Sequence, residues 1–364
     1  MKPFSLRVPS EVHFGVGTVE KVPEIVARFG RRPFVVTGSR PAPFALRDAV
    51  AWSVHGEPEI GTADEGARRC RDAGCDVVVG IGGGSVVDTA KAVAVLASNG
   101  GEALDYLEGV GRGQTLNRPS LPFIAIPTTA GSGSEATRNS VLRVPDLKVK
   151  RSLRSDFMIP RVAVIDPHLS ETCPLPVAAS AGLDALTHLI EGYVSNGAQP
   201  TTDAFALRGI RVAAQGLLSL ARGKQDVEAM ALASFWGGIV LANAGLGAVH
   251  GLVAPLGGRC SVPHGMGCAC LLAATMECNI EALRARSPQS PALNRYAEIG
   301  EALKDVPELN HLRRELGVPP LSSFGLSRKE IPAIIAGSRA GSMNYNPITL
   351  TDAELEQILL ASLS

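Results

Sequence analysis

The sequence has no surplus of either charge. Its 35 basic and 35 acidic residues give a formal net charge of +0, and no long run carries one sign. The electrostatic footprint of a nucleic-acid or anionic-membrane partner is therefore missing. Charge is also sparse, at 19% of residues against a typical ~25%. So little polar surface favours a homo-oligomer, a homodimer or larger. The seven cysteines are odd in number and form no CxxC pair, which argues against a disulfide framework or a zinc ribbon. The stretch MKPFSLRVPSEVHFG lacks the apolar centre of a secretory signal, and no segment approaches ~20 consecutive apolar residues. A cytoplasmic location is expected. No internal repeat or low-complexity tract is present.

What is there divides into two halves. Residues 1–170 alternate short apolar runs, PFVVTG (33–38), DVVVGIGGG (76–84) and PFIAIPTT (122–129), with helix-like stretches at 65–75 and 85–100. Such runs, ending in Gly, Ser or Thr, read as buried parallel strands that deliver loops at their carboxyl ends. VLRV (141–144) and RVAVIDP (161–167) read as two more strands joined by a basic, polar connection. Residues 171–364 offer no convincing strand, only helices with apolar residues three and four apart. The expected fold is an α/β nucleotide-binding type of domain followed by an all-α domain.

In the second half, GLDALTHLIEGY sets Asp184 and His188 four residues apart, and GAVHGLVAPLGG and VPHGMG add His250 and His264. On a helix the first pair projects from one face. One carboxylate and three imidazoles form a plausible N3O set for a divalent metal. Cys268 and Cys270 follow closely and read as small buried apolar side chains.

Two glycine loops occupy the first half. VVVGIGGGSVVDTAKAV places Gly82, Gly83, Gly84 and Ser85 between a strand and a helix. It is neither GxGxxG nor a Walker A loop. A tight turn and a pyrophosphate site both explain it, and the strand-before, helix-after context favours the phosphate. PTTAGSGSEAT (127–137) follows another strand with Thr128, Thr129, Ser132 and Ser134, and reads either as a Ser/Gly connection with a cap or as part of the same ligand site.

GGGSVVDTAK, PTTAGSGSEAT, DPHLSETCPLPVAASAGLDALTHLIEGYVS and HGLVAPLGGRCSVPHGMG, in this order and spacing, resemble the iron-containing (group III) alcohol dehydrogenase family over essentially the whole chain. The resemblance implies an α/β N-terminal dinucleotide-binding domain and an all-α C-terminal metal-binding domain, an architecture shared with dehydroquinate synthase. It implies hydride transfer between NAD(P) and a small alcohol or aldehyde. Carried over by position, Gly83, Gly84, Ser85 and Asp88 would hold the pyrophosphate region, and Thr128, Thr129, Ser132, Lys150 and Leu169 would line the rest of the cofactor site. Asp184, His188, His250 and His264 would bind Fe²⁺ or Zn²⁺.

The chain departs from the family pattern twice. Many members carry a His four residues after the third ligand, assigned to proton transfer or nicotinamide contact, and here that position is Ala254. The proton would then move through an oxygen held by the metal, the cofactor ribose hydroxyl or another polar group. Members that prefer NAD often place an Asp after the second strand, where this chain has Gly38, Ser39 and Arg40. Arg40 either points to solvent or binds a 2′-phosphate, and NADP(H) is slightly favoured. Arg259 is either a surface residue or a contact for an anionic substrate. Related readings are a maleylacetate reductase, whose members depart from the ligand set complete here, and a dehydroquinate-synthase-like lyase, which wants a different ligand set and a basic phosphate cluster.

Overall fold

The runs PFVVT, VVVGIG, FIAIP and VAVI are apolar at nearly every position, so they need cover on both faces of a sheet. In the computed structural model, which describes residues 3–364, they form the middle of a six-stranded parallel sheet. The strands are β1 (Glu11–Phe14), β2 (Pro33–Thr37), β3 (Val50–Ser53), β4 (Val77–Gly82), β5 (Phe123–Pro127) and β8 (Val162–Ile165), in the order β1-β8-β5-β4-β2-β3. From β2 the chain goes to β3 on one side, then crosses back to β4 on the other. The carboxyl ends of β2 and β4 thus flank a topological switch point, where sheets of this type bind ligands. Helices α1 (Val22–Ala27), α2 (Ile60–Asp72), α3 (Gly84–Asn99) and α4 (Ala103–Tyr106) complete this part with β6 (Asn139–Val144) and β7 (Val149–Arg154).

Three strands were not expected. EVHF and VAWS are four residues long and alternate between half-buried and exposed positions, because they are the two edges of the sheet and need little apolar surface. The polar connection after VLRV is itself β7, which pairs antiparallel with β6 from Asn139↔Arg154 to Val144↔Val149. A two-stranded ribbon buries one face only, here through Leu142, Val144 and Leu153, so its charged residues are no obstacle.

The chain divides into two units. One comprises Arg7–Thr129 and Gly133–Thr172; the other comprises Cys173–Ser364 with Ala130–Ser132 and residues 3–6. Among the described residues the second unit contains helices and no strand: α5 (Leu175–Val194), α6 (Pro200–Ala221), α7 (Val227–Ala244), α8 (Ala248–Arg259), α9 (His264–Arg286), α10 (Pro291–Ala302), α11 (Leu309–Glu315), α12 (Ile331–Gly337) and α13 (Asp352–Ala361). No helix of the described residues is an unbroken apolar run of ~20 residues, yet three are apolar on average over a comparable length. Helices α6, α7 and α9 are long and apolar enough to cross a membrane by length and composition. Much of each is buried in the helical core beside α5, and packing on several sides explains that apolarity.

Helix α3 lies directly on the sheet because Gly80 of β4 has no side chain. A Cβ there would lie 2.7 Å from Ala90 Cβ and 3.2 Å from a ring carbon of Phe123. Gly80→Val should therefore destabilise the protein by ~1–3 kcal/mol through overpacking. A lower urea midpoint at unchanged slope would show it.

Candidate metal centre and phosphate loops

Helix α5 starts with proline in its first turn, where the missing N–H costs nothing. Its 3.6-residue period brings Asp184, His188 and Glu191 to one buried face. Gly265 lets the start of α9 approach this helix, since a Cβ there would lie 2.3 Å from the Ser180 carbonyl oxygen. His264, the first residue of α9, is thereby held against α5. Helix α8 supplies His250, whose ring stacks on that of His188 with centroids 4.7 Å apart.

The four expected ligands come together. Asp184 Oδ1 stands 3.4 Å from His250 Nε2, 3.7 Å from His264 Nε2 and 3.8 Å from His188 Nε2. It is buried without a hydrogen-bond partner of ordinary geometry. Donors ~2.1 Å from a tetrahedral ion stand ~3.4 Å apart, so the distances from Asp184 are near those of ligands that share a cation, and the donor atoms of Asp184, His250 and His264 lie within 4.8 Å of one another. The residues present fit a divalent metal. Burial disfavours the Asp184 carboxylate, but the imidazoles of His188, His264 and His250 outweigh it and hold the carboxyl below its usual range. Burial pushes His188 down to about 3 against the attraction of Asp184, which keeps its imidazole neutral, the ligating form.

Glu191 was not singled out from the sequence. Its Oε2 accepts from His250 Nδ1 at 2.6 Å, and its two oxygens also accept from the backbone N–H groups of Val249 and His250. The carboxylate thus fixes the His250 tautomer with Nε2 toward Asp184. It also caps α8, whose N-cap Gly247 has no side chain to do so. Asn346 Oδ1 accepts from the next amide, Ala248 N–H, at 3.1 Å. The available signal was position: Glu191 lies seven residues after Asp184, on the same face. Cys268, fully buried, places Sγ 3.6 Å from His250 Nε2. Burial pushes its thiol up to about 12.

The two glycine loops meet in the first unit. Thr128 N–H donates to Gly82 O at 2.9 Å, and a Cβ on Gly83 would lie 3.4 Å from Thr129 Oγ1. Gly82 admits no side chain, because Val86 atoms fill that space at 2.6 Å. Gly83 precedes α3 without a side-chain cap, so the amides that open α3, at Gly84 and Ser85, face the loop with the positive end of the helix dipole. Other expected cofactor residues have internal partners. Asp88 accepts from Ser134 Oγ and, at 2.9 Å, from Val141 N–H. Lys150 Nζ pairs with Glu57 at 2.5 Å, and Leu169 packs against the sheet core. Ser132 lies in the short segment that belongs to the helical unit. At the end of β2, Gly38 is half-buried, Ser39 is exposed, and the exposed Arg40 donates to Thr172 Oγ1 and O. Ala254 is half-buried one turn after His250, and Arg259 is exposed in the last turn of α8.

With this geometry in view, residues 9–167 match the family model for iron-containing alcohol dehydrogenase, and residues 178–363 match its C-terminal domain. The chain belongs to the iron-containing alcohol dehydrogenase family. Long-chain-alcohol dehydrogenase 1 of Geobacillus thermodenitrificans is 32% identical over 379 residues, covering 97% of this chain and 95% of that protein. An archaeal halo-thermophilic alcohol dehydrogenase from a Red Sea brine pool superposes at TM-score 0.89 with 27% identity, covering 100% of both chains. Sulfoacetaldehyde reductase from Bifidobacterium kashiwanohense, in complex with NAD+, gives TM-score 0.85 with 26% identity and the same coverage. Membership of the iron-containing alcohol dehydrogenase family makes this chain a metal-dependent oxidoreductase of the alcohol dehydrogenase and aldehyde reductase type, and implies a divalent metal and a nicotinamide cofactor.

Glu191→Gln should weaken divalent metal binding by ~10–100-fold while the far-UV circular dichroism stays native. A competitive chelator titration of the two proteins checks this.

Proposed function

We propose that this protein interconverts small aldehydes and alcohols with NADP(H) ahead of NAD(H), with the substrate oxygen directed to a divalent metal, Fe²⁺ or Zn²⁺, held by Asp184, His188, His250 and His264. The observation that carries the proposal is the set of three imidazole Nε2 atoms around the buried Asp184 Oδ1, which has no hydrogen-bond partner of ordinary geometry. When bound, the metal supplies Lewis acidity toward an alcohol or carbonyl oxygen and the nicotinamide supplies or takes the hydride. Asp184, His188 and His250, all buried, and the exposed His264 would hold the cation, and Glu191 orients His250. The Gly83–Ser85 loop and the hydroxyls of Thr128 and Thr129 bind the dinucleotide phosphates. With Ala254 in place of a second imidazole on α8, the substrate proton has no His relay at this position.

The preference for NADP(H) rests on the end of β2, where Gly38 leaves no carboxylate to repel a 2′-phosphate. A Cβ on Gly38 would meet only Val86 Cγ2, at an ordinary 3.5 Å, so a side chain can be added without strain. Gly38→Asp should lower kcat/KM for NADPH by ~10-fold or more and spare NADH. Equal effects on both dinucleotides would contradict the preference.

A homo-oligomer is part of the same proposal. The edge strand β1 exposes Val12 and Phe14, with Val16 just beyond it 62% exposed, and such an edge invites pairing. So is a cytoplasmic location, where the seven free thiols stay reduced. An anionic aldehyde is the second substrate reading, supported by Arg259 at the exposed end of the helix that carries His250. Under it, Arg259→Ala raises KM for carboxylated or sulfonated aldehydes alone.

The direct assay follows nicotinamide absorbance while aldehydes are added to protein stripped of metal and then reloaded with Fe²⁺ or Zn²⁺. Turnover should require the metal. Full activity of the stripped protein would refute the metal role.

A further inference from the structure

We propose that Cys268 is a further metal-ligating side chain, a thiolate added to the Asp and His donors of the centre proposed above, on which reading it rests. Helix α9 carries it one turn after His264, so the two side chains leave one face of the helix. Cys268 is fully buried, and its sulfur faces His250 Nε2 at 3.6 Å. A metal–sulfur distance of ~2.3 Å and a metal–nitrogen distance of ~2.1 Å, at an angle of ~110° between them, set the two donors ~3.6 Å apart. The donor atoms of Asp184, His250, His264 and Cys268 all lie within 4.8 Å of one another. His188 reaches the same carboxylate from 3.8 Å, on the side where its ring stacks on His250.

The alternative role for Cys268 is a small apolar residue filling the core, like Cys70, which is equally buried. The Cys268 sulfur is instead within hydrogen-bonding reach of the His250 Nε2 lone pair beside a buried carboxylate, the position from which a thiolate would reach a shared cation. Coordination would form a metal–sulfur bond as the S–H proton leaves to solvent, with no change of oxidation state. A thiolate is a soft donor and favours Zn²⁺ and Co²⁺ over Fe²⁺. The family centre is thereby biased in this chain toward zinc.

The test is the electronic spectrum of the metal-free protein reconstituted with Co²⁺, which needs no turnover. The expected result is visible ligand-field bands together with a near-ultraviolet sulfur-to-cobalt charge-transfer band. Cys268→Ser should keep the visible bands, lose the charge-transfer band and reduce the preference for Zn²⁺ over Fe²⁺ by about tenfold. Cys268→Ala serves if the serine variant does not fold. Visible bands without the sulfur band in the wild type, or a sulfur band that survives in the variant, would overturn the role of Cys268 and leave the metal centre standing. If Co²⁺ produced no bands at all, the metal centre and its thiolate would both fall.

Discussion

A carboxylate buried among three imidazoles is the constraint on which the helical unit depends. Asp184 Oδ1 has no ordinary hydrogen-bond partner, and a buried charge left in that state is costly. A divalent cation would remove that cost by drawing the carboxylate and the imidazole lone pairs onto itself. Metal binding and the integrity of α5, α8 and α9 are therefore one energetic problem. The helices converge through their shared apolar core, and that packing brings polar donors from all three to one place.

The surrounding residues serve that convergence. Gly265 permits contact between α9 and the backbone of α5. Gly247 leaves room for Glu191 and Asn346 at the start of α8, where a Cβ would lie 2.8 Å from each of their oxygens. The first unit treats its glycine loops in a comparable way, through a buried cation of its own. Lys91 of α3 is fully buried, and its ammonium donates to the carbonyls of Ser134, Thr137 and Asn139. That pins the end of the second loop to the helix that opens at the first. Burial lowers Lys91 to about 8, and it raises the neighbouring Glu135 to about 7. A rigid frame of this kind suits loops that must present amides to a phosphate.

Much of this was legible before any coordinates. The buried strands announced themselves as unbroken apolar runs, and the spacing of Asp184 and His188 fixed a shared helical face. The edge strands were not legible, because EVHF and VAWS bury too little to show a pattern. Strand β7 was hidden by its charges, which a ribbon with one solvent-facing side tolerates. Glu191 lay in plain sight within the GLDALTHLIEGY block, yet its role depends on α8 arriving from far along the chain. Cys268 read as apolar filler because burial is legible in a cysteine and the direction of its sulfur is not. Asp88 and Lys150 show the converse. The family resemblance assigned them to the cofactor site, and the fold engages them with Ser134, Val141 and Glu57.

The most direct test of the account is the metal content of the wild type and of Asp184→Asn after extensive dialysis, determined by elemental analysis. The account predicts about one tightly held divalent ion per wild-type chain, and loss of that ion from an Asp184→Asn protein that remains folded. A folded Asp184→Asn chain that still held a full complement of metal would contradict it.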